Sequence, residues 1–246
     1  MSIWQKWDLI QNNMYNFSKF SDIDAVLNKA TGMLSKINEE YLECLKKEKI
    51  PDSLLVDIKD YLGNLRSALD YLWYKIPNVS NGYFPIANSL ADFSAKTSRI
   101  DLQYSTILQK YQDYDLNSWI KCFSLFRNKN THVTFIPQKR VEIPVLNVEH
   151  NGVGMRMSGG ASIQMGSGTS ISLGGAVIPG GQTISPHSNE LIGDSRLNVR
   201  REIWVDFIFD GSSISSDFPE GVSVLPFLKK SLSSVANIMI DLEKVL

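Results

Sequence analysis

Histidine and cysteine are scarce, with three of the first and two of the second among 246 residues. His132, His150 and His187 are separated by 17 and 36 residues, with no cysteine pair and no helical histidine pair, so the chain carries no metal-ligand signature. No metal is expected, and no other cofactor. His150 and His187 sit beside glycine or proline and read as ordinary surface residues. Cys44 and Cys122 fall in helix-like apolar patterns at no redox or metal spacing. They read as buried free thiols of a reducing compartment, with a disulfide between them left open.

Long apolar runs are also missing. None reaches the roughly 18 residues that a helical membrane span needs. Met1–Ile10 lacks a basic start followed by an apolar core, so no secretory signal is expected and the location expected is the cytoplasm. Positive charge is not in excess either: 25 Lys and Arg face 26 Asp and Glu, for a net charge of -1. No global field would hold nucleic acid, and any such contact must be local. Gly166-Ser167-Gly168-Thr169-Ser170 lacks the lysine and the following helix of a phosphate loop, and its neighbours alternate as a strand does.

What the chain does have is helical periodicity in four stretches. From Ser21 to Glu48 the residues Ile23, Val26, Leu27, Ala30, Leu34, Ile37, Tyr41, Cys44 and Leu45 recur at intervals of three and four. Asp52 to Ile76 carries Leu54, Leu55, Ile58, Leu62, Leu65, Leu69, Leu72 and Trp73 and stops at Pro77. The short link between the two stretches predicts an antiparallel hairpin. Val222 to Leu246 repeats the helical period, and Leu116 to Lys129 places Leu116, Trp119, Ile120, Phe123 and Phe126 on one side. Asn81-Gly82 predicts a turn and Tyr83-Phe84-Pro85-Ile86 an extended segment against the helices. Short helices are expected over Ala91–Arg99 and Thr106–Lys110.

After His132 the period changes to two, through Val133, Phe135, Val141, Ile143, Val145 and Val148. Asn151 to Gly181 holds ten glycines in 31 residues, yet it still alternates and carries little charge, which favours short glycine-rich strands over a linker. Arg196 to Phe209 is the clearest strand. Apolar residues on both of its sides predict that both faces are at least partly covered. The fold class expected is α+β: a four-helix bundle, residues 1–132 and 220–246, with a glycine-rich antiparallel β insertion, residues 133–219, before the last helix.

Chemistry concentrates in Phe126-Arg127-Asn128-Lys129-Asn130-Thr131-His132, at the junction of the two patterns. An arginine, an asparagine and a histidine supply a fixed cation for a phosphate, an orienting polar group and a proton carrier that titrates near neutrality. The same residues also suit a structural role: Arg127 and Lys129 complement a helix C-terminus, Asn130 terminates it and His132 opens a strand. Arg66 and Asp70, four apart on the second helix, can pair with each other, or their helix can border the motif.

A bundle with Leu65-Arg66-Ser67-Ala68-Leu69-Asp70 in its second helix, a Phe84-Pro85-Ile86 segment after it and Arg127-Asn128 with His132 late in a following helix resembles the HEPN superfamily. It is similar in particular to bacterial members with a β segment after the motif helix. The resemblance covers about residues 20–135 and the last helix. It implies a metal-independent endoribonuclease, active as a homodimer in which the motif helices of two copies meet. Arg127 would hold the scissile phosphate, Asn128 would orient it or the ribose, and His132 would move protons, with Lys129 and Arg66 as substrate-binding residues. On a continuous helix an offset of five residues turns side chains about 140° apart, so Arg127 and His132 of one chain form no tight pair. A composite site across a two-fold axis removes that difficulty. RNA is the substrate expected, in a toxin or anti-phage setting, with a regulatory protein partner as a further possibility and no membrane. The alternative is a non-catalytic dimeric module that binds through its β insert.

Overall fold

The computed structural model describes residues 19–47, 50–79, 82–115, 118–132, 135–188, 191, 193–210 and 221–246, with only the backbone of Lys47, Thr131 and His132. Met1–Ile10, Glu48, Asn81, Leu116 and Val133 lie outside these residues. The protein is a mixed α+β molecule with antiparallel sheets, and its described residues form six helices. The chain divides into two compact units, residues 1–139 with 207–246, and residues 140–206.

The first unit is built on α1 (Ser21–Lys47), α2 (Asp52–Lys75), α5 (Trp119–His132) and α6 (Val224–Glu243), with the short α3 (Leu90–Lys96) and α4 (Leu102–Gln109). In α1 the residues Ile23, Leu27, Ala30, Leu34, Ile37 and Tyr41 are all buried, which is one face at helical spacing. The same spacing buries Leu54, Ile58, Leu62, Leu65, Leu69 and Leu72 of α2. Each such side chain contributes about 1.5–3 kcal/mol on leaving water. Ile76, just ahead of Pro77, is extended at φ -73° and ψ 128°, because the proline ring excludes the helical conformation from the residue before it.

Helix α1 packs along α2, α5 packs on α2, and α6 lies against α1, α2, α4 and α5. The Tyr61 hydroxyl of α2 donates to the Leu228 carbonyl of α6 at 2.8 Å. Phe126, Phe209 and Phe227 form an aromatic cluster with centroid separations of 4.2, 4.8 and 5.9 Å. Phe207 joins the same core through Tyr41, whose hydroxyl accepts from the Phe207 amide at 2.9 Å. These two phenylalanines explain why residues 207–209 belong with the helices although they end a strand.

Cys44 and Cys122 are both free and buried, and burial pushes the Cys122 thiol up to about 11. Neither thiol is expected to react with a disulfide reagent at pH 8 in the native protein, and both should react once guanidinium unfolds it. A thiol count by absorbance checks this. Among the described residues no helix is long and apolar enough to cross a membrane.

The second unit contains the sheet β2-β1-β7, from β1 (Gln138–His150), β2 (Val153–Ser158) and β7 (Asn198–Phe209). Two nested hairpins follow β2. The pair β3 (Ile163–Gln164) and β6 (Thr183–Ile184) encloses the pair β4 (Ser170–Leu173) and β5 (Ala176–Pro179). The unit has its own small core of Leu146, Val148, Met157, Met165, Leu173, Ile178 and Ile184. Gly174, at φ +55°, makes the tight turn between β4 and β5, and a Cβ there would run into the His150 carbonyl.

Two local expectations differ from the structure, and a third holds. Strand β1 begins at Gln138, not directly after His132: the Ile136 amide donates to the Asn130 side chain at 2.8 Å, and Pro137 has no amide to donate. The helix runs through Asn130 to His132, so Asn130 does not end it and His132 is its last residue, not the first of a strand. Strand β7 is partly covered on both sides, as its apolar pattern predicts: Phe207 and Phe209 are buried on one and Ile208 is half-buried on the other, while Ile203 is 67% and Trp204 47% exposed. Arg156 of β2 lies over the Trp204 ring, 3.8 Å from its centroid.

Candidate functional site

The Phe126–His132 string lies entirely within α5, and helical geometry divides it between two faces. Ile120, Phe123, Phe126 and Asn130 turn inward and are buried. Ser124, Arg127 and Asn128, at offsets of three and four, share the other face and line a cleft of about 670 Å³. Helix α2 contributes Arg66 and Trp73 at a spacing of two turns. The extended segment Gly82–Ile86 forms a further wall, and Lys96 of α3 closes it. Arg66, Lys96 and Arg127 are the charged residues among those that line the cleft, and all are basic.

Among the described residues the extended wall pairs with no strand, and side chains take over the work of a ladder. Arg66 and Asp70 form a salt bridge at 3.0 Å, with a second contact from Arg66 Nε to Asp70 Oδ2 at 3.1 Å. This pair grips both polar groups of Phe84: Asp70 Oδ1 accepts from its amide at 2.9 Å, and Arg66 donates to its carbonyl at 3.2 Å. Gln112 repeats the device, donating to the Pro85 carbonyl at 3.0 Å and accepting from the Ala87 amide at 3.1 Å. Lys96 donates to the Ile86 carbonyl and to Asp92, each at 2.9 Å. Lys121, itself buried, donates to the Asn88 side-chain oxygen. Burial pulls its ammonium below the usual lysine value, with the Lys96 charge adding to the effect.

Arg66 therefore pairs with Asp70 and also faces Arg127 across the cleft. Burial lowers its guanidinium pKa first. The Asp70 carboxylate opposes that shift, while the Arg127 charge adds to it. An arginine remains a cation under all of these influences, so the cleft keeps its positive charge across the working pH range. Arg127 donates to Asn128 Oδ1 at 3.0 Å, which orients both side chains from one helical turn. Tyr83, 75% exposed, stands at the rim with the Arg66 guanidinium 5.7 Å from its ring centroid.

Of the residues singled out by sequence, Arg66, Arg127 and Asn128 line this one cleft. Lys129 lies on α5 away from the cleft lining, two residues and about 200° around the helix from Arg127. His132 occupies the last turn of α5, and only its backbone is described. Trp73, Tyr83, Lys96 and Ser124 complete the cleft without having been singled out. Helical spacing marks two of them, Trp73 seven residues after Arg66 and Ser124 three before Arg127. Tyr83 and Lys96 come from separate segments that only the tertiary fold brings in. No group of three or more His, Cys, Asp or Glu placed to hold a metal ion occurs among the described residues.

The Asn130 side chain, 8% exposed, carries a structural duty inside the motif by holding the chain that leaves α5. Asn130→Ala is expected to destabilise the protein by about 1–3 kcal/mol, since it strands the buried Ile136 amide. Asn130→Asp keeps an acceptor and should lose less. Urea midpoints of the two variants check the order. No protein-family model matches the chain, and no curated protein or solved structure matches it.

Proposed function

We propose that this protein is a metal-independent endoribonuclease of the HEPN type, with a four-helix bundle made by α1, α2, α5 and α6. The observation that carries the proposal is the basic cleft in which Arg127 and Asn128 project from one turn of α5 towards Arg66 and Lys96. A cleft lined by cations and no acids is complementary to a phosphodiester. Arg127 neutralises the scissile phosphate and Asn128 orients it or the ribose. His132 of a second copy transfers protons, and Lys129 and Arg66 bind flanking parts of the RNA.

The ribose 2'-hydroxyl attacks the adjacent phosphorus, the bond to the 5'-oxygen breaks, and that oxygen takes up a proton. The products are a 2',3'-cyclic phosphate and a 5'-hydroxyl end. Because the nucleophile belongs to the substrate, DNA of the same sequence is not cut. A toxin or anti-phage effector in the cytoplasm is the setting this activity fits, with the β unit selecting substrate or receiving a regulatory protein.

The test is cleavage by the purified protein in excess EDTA, on RNA and on DNA of one sequence, with the product ends identified. RNA cleavage with cyclic phosphate ends supports the proposal, and an intact RNA sinks it. A non-catalytic module acting through its β unit is the competing reading. It is favoured by Trp204, about half exposed under Arg156 on an edge strand, and it requires that nothing be cut.

A further inference from the structure

We infer that Tyr83 is a stacking platform for one unpaired nucleobase of the RNA, next to the phosphate position at Arg127. The inference rests on the ribonuclease reading for the identity of the ligand and on the following geometry for the role of Tyr83.

An aromatic ring that is 75% exposed gains little from its own fold. The segment that directly follows it is nevertheless braced on the cleft wall. The Phe84 amide and the carbonyls of Phe84, Pro85 and Ile86 are each engaged by a side chain from α2, α3 or the residue Gln112. A rigid support under an exposed ring removes the ordering cost that a mobile tyrosine would impose on a ligand. Arg66, anchored by Asp70, lies 5.7 Å from the ring centroid and lines the same cleft as Arg127. Aromatic plane and phosphate-binding cations thus stand side by side, the arrangement by which proteins bind single-stranded nucleic acid. The volume, about 670 Å³, lies within the range of sites for small organic ligands, a mononucleotide among them.

Two properties of the ligand follow. The base must be unpaired and unstacked on one side, because in an A-form duplex neighbouring bases cover both of its faces. The wall should also be tolerant of base identity. Its carbonyls at residues 84–86 already accept hydrogen bonds and Pro85 has no amide, so the segment offers a plane more than an edge-reading pattern.

The experiment uses the full chain in EDTA with a fluorescent 2'-O-methyl oligonucleotide, which lacks the attacking hydroxyl and stays intact. Fluorescence anisotropy compares the single strand with the same strand in a duplex. The wild type should prefer the single strand. Tyr83→Ala should weaken single-strand binding by roughly 5- to 150-fold, the equivalent of one stacked base, and raise KM for RNA while kcat at saturation holds. Tyr83→Phe keeps the plane and should bind within about twofold of wild type, with the thermal midpoint unchanged in both variants because the ring is exposed. Equal binding by Tyr83→Ala, equal loss in Tyr83→Phe, or equal affinity for the duplex would overturn the platform. If the 2'-O-methyl strand binds through Tyr83 while RNA is left uncut, the ribonuclease reading fails and the platform stands. If RNA is cut and Tyr83→Ala is silent, the reverse holds. If the wild type binds no strand at all, the platform is rejected outright.

Discussion

Alanine at Arg127 or at His132 is expected to reduce RNA cleavage by two to four orders of magnitude. Loss of a positioned proton carrier costs about 10²- to 10⁴-fold, and loss of a preorganised group that stabilises developing charge costs about 10²- to 10³-fold. Both variants should remain folded. Arg127 is only partly buried and lines a cleft, while the core face of α5 is carried by Ile120, Phe123 and Phe126. The proposal that the site is shared by two copies gives a sharper form of the same prediction. Helix α5 is continuous from Trp119 to His132, so the backbone positions of Arg127 and His132 lie about 140° apart around its axis. If one copy gives the arginine and another the histidine, mixing the two inactive variants restores one intact site in each mixed dimer. With free exchange of subunits the mixture should recover about a quarter of wild-type activity, half of the dimers being mixed and each having one good site of two. A mixture that stays inactive while its subunits demonstrably exchange would place the chemistry within one chain or nowhere.

The second large effect is on stability. Asp70→Ala should lower the unfolding free energy by about 3–5 kcal/mol, the range for removing one member of a poorly accessible ion pair. The side chains of Arg66 and Asp70 are only 13% and 16% accessible, so the guanidinium left behind is poorly hydrated. The Phe84 amide loses its acceptor in the same step. Replacing both residues, as Arg66→Met with Asp70→Leu, leaves no stranded charge and should cost less than Asp70→Ala alone, despite removing more polar contacts. Guanidinium midpoints for Asp70→Ala and the double variant decide this. A double variant less stable than Asp70→Ala would show that the grip on Phe84 matters more than the buried charge.

The long helices were legible in the sequence because each buries one face and so repeats at three and four residues. Arg66 and Asp70 were legible as partners for the same reason, being one turn apart. Strand β7 was legible as a strand with partly covered faces, but alternation reports which residues share a side, not how much of that side is covered. Ile203 and Trp204 alternate like core residues and yet lie open on an edge strand, and the Arg156 that lies over Trp204 comes from β2, about fifty residues away. The exit from α5 misled. Phe135 and Ile136 look like the start of a strand, but an amide hydrogen bond to Asn130 and the missing amide of Pro137 postpone pairing to Gln138. Within the cleft, Arg127 and Asn128 announce themselves by residue type. Tyr83 and Lys96 do not, since their proximity to Arg66 and Ile86 depends on how a separate loop and a short helix dock.

The position of α6 in the helical core gives the protein a history as well as a shape. Contacts such as Tyr61 to Leu228 and Phe126 to Phe227 join residues about 100 to 170 places apart, so the core that backs α5 waits for α6. The nested hairpins of residues 163–184 close over short separations and need no such wait. At about 5–20 residues per second, the roughly 170 residues from the end of α2 to the end of α6 take about 10–35 s to synthesise. During that interval α1 and α2 have no α6 to cover them, and α5 cannot settle into the packing that aims Arg127. The packing behind the cleft that Arg127 lines is therefore complete only once α6 has been made.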